Sequence, residues 1–199
     1  MEWLEVLAGS RVIVELPDGD VDDQLAAGEV LIQEGLNAWT VPFERRAELT
    51  RLREVFGRRV RLGVADLRTP EQVAVAAADQ PDLMLAPFAT PGLLDAAGAV
   101  PMVLGGLTPS EVAGALDLGA AAVQVVPCDA LGSLYARTLL GMFAGAPLIA
   151  TGRLERFQCE MWLDAGALAV CPAAAIGADD IAEPDLAQLR HRCQGYRFS

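Results

Sequence analysis

The chain has 199 residues, 53% hydrophobic and 21% charged, which is long enough for one sizeable core and too apolar to be disordered. A net charge of −12 argues against a general binder of nucleic-acid backbone. No apolar run approaches the ~18 residues of a membrane span, so neither nucleic acid nor membrane is an expected partner. The start, Met-Glu-Trp-Leu-Glu, lacks a basic signal region, and a soluble, cytoplasmic protein is expected. Every Lys or Arg position is arginine; with no lysine, no side chain can act as an amine nucleophile. Cys128, Cys159, Cys171 and Cys193 form no CxxC pair and His191 stands alone, which speaks against structural zinc and for free thiols in a reducing compartment. No metal and no other cofactor is expected.

Trp3 to Ala8 reads as a short lead-in helix, Val12 to Leu16 as a strand, and Pro17 to Asp20 as a turn. Val21 to Gln33 carries a helical pattern, with Gly35 as its C-cap candidate. Acids at 18, 20 and 22 resemble the opening of a calcium loop, with Glu29 at its twelfth position. Asp23 stands where that loop needs glycine, so helix capping is the expected role. Strands are predicted at 38–41, 60–65, 83–86, 100–104, 121–126, 147–151 and 167–171. Helices are predicted at 44–56, from Thr69-Pro70, at 91–97, from Thr108-Pro109, at 131–143, at 155–164 and from Glu183-Pro184. The arginines between 45 and 68 interleave with glutamates, as in Glu54–Arg58 at i,i+4, and read as a solvated, salt-bridged face.

Eight alternating strand–helix units predict a parallel sheet closed into a (β/α)8 barrel, one domain over residues 1–199. An open doubly wound sheet is the alternative, without a G-x-G-x-x-G fingerprint to support it. Chemistry in such a barrel belongs at the C-terminal strand ends. Those ends carry Glu15, Thr40, Asp66 with Arg68, Phe88, Thr108, Gln124 with Asp129, Thr151 with Arg153, and Cys171. Gln124 is a lone polar residue in an apolar strand, either a satisfied structural amide or a group aimed into a binding site.

The run Gln124-Val-Val-Pro-Cys-Asp129, followed by Leu131-Gly-Ser133, resembles the Lys-Phe-Phe-Pro-Ala-Glu strand of the 2-keto-3-deoxy-6-phosphogluconate (KDPG) / 4-hydroxy-2-oxoglutarate aldolase family. Gly63-Val-Ala-Asp-Leu67, Leu85-Ala-Pro-Phe88, Gly105-Gly-Leu-Thr-Pro-Ser-Glu111 and Thr151-Gly152 extend the likeness over Val12 to Ile176. The resemblance implies a class I pyruvate-aldolase barrel, a lyase by descent, and a homotrimer. It also implies that Gln124 stands at the Schiff-base lysine's position and Thr40 at the glutamate acid/base's. Glu44 stands for the family arginine, Arg153 intrudes after Thr151-Gly152, and Cys171-Pro172-Ala173 replaces the Gly-Gly-Ser phosphate cup. A glutamine amide supplies no amine for imine chemistry.

The expectation is therefore a homologue without Schiff-base catalysis that binds a small organic acid or related metabolite. Catalytic positions are Gln124, Thr40, Asp129 and Asp66; ligand-binding candidates are Arg68, Thr108, Thr151, Gly152, Arg153 and Glu15. The alternative is an active lyase or isomerase using Asp129, Asp66 or Cys128 as acid/base groups, with or without a divalent metal.

Overall fold

In the computed structural model, residues 3–173, 175–177 and 185–198 are described. Eight parallel strands pair in sequence order, from β1 to β8. They are β1 (Ile13–Glu15), β2 (Ala38–Pro42), β3 (Arg61–Ala65), β4 (Leu83–Leu85), β5 (Met102–Gly106), β6 (Ala122–Val125), β7 (Leu148–Gly152) and β8 (Ala169–Pro172). Between them run α2 (Leu25–Gln33), α3 (Glu48–Phe56), α4 (Pro70–Ala78), α5 (Leu93–Ala97), α6 (Pro109–Asp117), α7 (Ser133–Met142) and α8 (Arg156–Asp164). A single parallel bridge, Val12 to Val170, joins the first and last strands, so the sheet is a nearly closed (β/α)8 barrel. The short α1 (Trp3–Val6) precedes it and α9 (Leu186–Gln194) packs on α2. The predicted start of that last helix at Glu183-Pro184 lies outside the described residues; within them Asp185 caps it through Ala187 N–H and Gln188 N–H.

Alternation along each strand sorts the side chains into two cores. Val14, Trp39, Val64, Met84, Leu104, Val123, Val125 and Val170 face outward into the barrel–helix layer. Ile13, Ala38, Leu83, Leu85, Val103, Ala122, Ile149 and Ala169 fill the barrel itself. Leu7, at the end of the lead-in segment, is buried with this inner set and stoppers the N-terminal end.

Helix starts follow the chemistry at their first turns. Thr108 and Glu111 form a reciprocal capping box on α6, and Thr69 accepts from Gln72 N–H at the start of α4, with proline next in line in both. Gly35 (φ +79°) ends α2, its N–H donating to Ile32 O. Two expectations need correction. The acids at 18, 20 and 22 do not cap α2, which begins later, at Leu25, after an uncapped Gln24. Asp20 accepts from Asp22 N–H within the turn, while Asp18 and Asp22 pair with Arg45 and Arg51 of the next unit. Likewise Glu54 pairs with Arg51, not Arg58; Arg59 reaches Glu29 and Arg46 reaches Asp79, so much of the arginine cluster ties α3 and its flanks to neighbouring elements.

Candidate functional site

The inner face changes character at the C-terminal strand ends. Glu15 is the register partner of Thr40, Gly105 of Gln124, and Thr151 of Cys171. These positions follow Ile13, Ala38, Val103, Ala122, Ile149 and Ala169 by two residues and so share their inward face.

Gln124 is 5% exposed and donates from Nε2 to Ala86 O at 2.6 Å. The amide is therefore held by backbone on its nitrogen side, while Oε1 accepts no hydrogen bond among the described residues. Gly105, beside it, must be glycine: a Cβ there would collide with the Pro87 carbonyl, which crosses the inner face of β5. At β7 a Cβ on Gly152 would strike the Asp129 carboxylate, so Asp129 lies against that strand end. The glycines were the sequence signal for these two close approaches.

Thr40 is only 1% exposed, and its hydroxyl makes no hydrogen bond among the described residues. Thr151 Oγ1 is likewise buried without a partner there. Between β1 and β3, burial raises the Glu15 carboxyl above its ordinary pKa, and the charges of Asp66 and Asp18 push it further in that direction. Asp66 turns the chain out of β3 in the left-handed region (φ +59°), a conformation aspartate tolerates better than most residues. It is exposed at the rim. On β8, beside β1 across the seam, Cys171 is buried, and burial followed by the charge of Glu15 raises its thiol pKa.

Other candidates sit apart. The Thr108 hydroxyl is committed to the α6 cap, bonded to Glu111 Oε2 at 2.9 Å. Arg68 and Arg153 are exposed at the ends of β3 and β7 and form no ion pair among the described residues. Cys128 is buried in the outer core, and burial, then Asp129, pushes its thiol up to about 12; this removes it as an acid/base group near neutrality. In the segment expected to replace a phosphate cup, Pro172 has no N–H and the Ala173 N–H donates to Gly152 O at 2.9 Å. Among the described residues no group of three or more His, Cys, Asp or Glu is arranged to hold a metal ion.

The family model described as KDPG and KHG aldolase matches residues 5–192. A curated relative, 2-dehydro-3-deoxy-6-phosphogalactonate aldolase of Escherichia coli (strain K12), is 25% identical over 164 residues, covering 79% of this chain and 78% of its own. Among solved structures, KDPG aldolase from Legionella pneumophila, with pyruvate captured as a covalent carbinolamine, superposes with a TM-score of 0.86 at 21% identity over 97% of both chains. The 2-keto-3-deoxy-6-phosphogluconate aldolase of Zymomonas mobilis ZM4, with 3-phosphoglycerate, gives 0.81 at 20% identity over 98% of this chain and 93% of that one.

Proposed function

We propose that this chain, which belongs to the KDPG and KHG aldolase family, binds a small organic acid or related metabolite at the barrel mouth without forming an imine with it. The observation that carries this is a chain without lysine whose β6 presents an amide, Gln124, to the barrel interior. The Legionella relative holds pyruvate as a carbinolamine, an adduct made when an amine nitrogen attacks the carbonyl carbon. Arginine cannot replace that amine, because its guanidinium stays protonated.

On this reading Gln124 stands in the nucleophile's place and Thr40 in that of the acid/base glutamate. The Gln124 Nε2 hydrogen not given to Ala86 O and the hydroxyls of Thr40 and Thr151 can then donate to a bound carboxylate or carbonyl, and Arg68 or Arg153 supplies the counter-charge at the rim. The tied-down Ala173 N–H and Pro172 support a ligand without a phosphate in the family's cup. We propose further a single barrel domain, a cytoplasmic location and a homotrimer, as descent suggests.

A second reading has one observation in its favour. The Glu15 carboxyl, raised by burial and then by Asp66, is a candidate proton-transfer group, so a lyase or isomerase working through Glu15 with Asp66 or Asp129 is the alternative.

Pyruvate with borohydride, followed by intact mass and peptide mapping, tests the first reading. No adduct inside the barrel is expected, while amide shifts on titration with pyruvate should centre on β6 and weaken in Gln124→Ala. A stoichiometric adduct mapped to the barrel would overturn the reading. Aldol cleavage without any adduct would instead favour the carboxylates.

A further inference from the structure

We infer that the ligand carries an apolar substituent, of the bulk of a phenyl or branched alkyl group, seated in a groove between the strand end beside Gln124 and α6; this rests on the mouth binding a small acid as proposed above. The groove has a volume of about 440 Å³ and its lining includes Pro87, Phe88, Leu107, Val126, Gly114 and Leu118. That size is typical of small-molecule sites. Its inner end borders the candidate site. Gly105, which also lines it, is Gln124's register partner, and Pro87 directly follows the residue whose carbonyl holds the Gln124 amide.

Its chemistry does not suit a phosphorylated tail. No basic side chain lines the groove, and its one carboxylate, Glu111, is already engaged by Leu107 N–H (3.0 Å), Thr108 N–H (2.8 Å) and the Thr108 hydroxyl (2.9 Å). An anion placed there would shed water and find no counter-charge. An apolar group would instead cover Phe88 and Leu118, each 41% exposed. Gly114 makes the assignment testable. It lies in α6, lines the groove, and a Cβ added to it meets nothing within 4 Å. A larger side chain therefore fills the groove while improving helix propensity.

Pyruvate, 4-methyl-2-oxopentanoate and phenylpyruvate are titrated by calorimetry into the wild type, Gly114→Leu and Leu118→Glu, with circular dichroism to confirm folding. The two larger acids should bind the wild type about tenfold more tightly than pyruvate, or better. Gly114→Leu should erase that advantage and leave pyruvate unchanged; Leu118→Glu gives the same comparison should Gly114→Leu fail to fold. Equal affinities in the wild type, or an advantage that survives in a folded variant, overturn the groove assignment but leave the mouth as a binding site. No binding by any of the three acids overturns both. A wild-type oligomer that Gly114→Leu converts to monomer, by sedimentation velocity, assigns the groove to a second copy and also overturns the inference.

Discussion

The two ends of the barrel interior differ sharply although they lie two residues apart on the same strands. At the floor Ile13, Ala38, Leu83, Ala122, Ile149 and Ala169 make a dry layer stoppered by Leu7. At the mouth the same strands present Glu15, Thr40, Gln124, Thr151 and Cys171, with hydroxyls that lack partners among the described residues and a carboxyl raised by burial. The floor follows the rule that buried surface should be apolar and filled. The mouth breaks it, and buried polar groups without partners are costly unless something else meets them. Folding stability is concentrated in the first layer; the second, in the function proposed above, is left for a ligand.

The largest effect that would break this contrast is at the floor. Leu83→Ala should cost about 2–5 kcal/mol by urea unfolding, whereas Thr40→Val, which removes an unpartnered hydroxyl, should change stability by less than about 1 kcal/mol. Equal losses would mean that the Thr40 hydroxyl is structural.

Next in size is the boundary between mouth and groove. Gly105→Ala forces the Pro87 backbone aside and should cost about 1–3 kcal/mol, while Gly114→Ala, on open helix surface, should be neutral or stabilising by up to about 1 kcal/mol. Thermal unfolding of the pair reads this directly.

The smallest effect concerns Glu15. Its folded pKa is raised, so the folded state holds the proton more tightly than the unfolded chain. Stability is fully present below the ordinary glutamate range and falls as pH rises through the folded pKa. Glu15→Gln should leave stability near pH 4 almost unchanged and raise it near pH 7, by something on the order of 0.5 kcal/mol. A loss at pH 7 would mean that the ionised carboxylate has a favourable partner.

The barrel was legible because its signals are local. Alternating strand and helix periods and the Thr-Pro helix openings at 69 and 108 all come from neighbouring residues. The errors came where distant partners decide. The acids before α2 are held by Arg45 and Arg51 from the following unit, so their proximity to the helix misled. The predicted helix from Glu44 begins as a 3-10 turn, Phe43–Arg45, because Arg45 turns back to donate to the carbonyls of Leu16 and Pro17. Similarly, Cys128 looked available beside Asp129, and only packing shows the thiol turned into the outer core. Glu15 was visible as a strand-end acid, but its raised pKa depends on burial and then on Asp66, both set by the fold.

The seam between β1 and β8 has a consequence for how the chain assembles. Seven of the junctions join strands consecutive in sequence, but this one must bring Val12 to Val170. It is secured by Val170 N–H donating to Arg11 O at 2.9 Å and by Arg11 Nη2 donating to Ala167 O at 2.8 Å. Such a closure spends the most chain entropy for the fewest bonds, so the arc from β1 to β7 should form before the ring is sealed. In native-state hydrogen exchange, the amides at this seam should then open at lower free energy than those of β5 and β6, which lie on the far side of the ring.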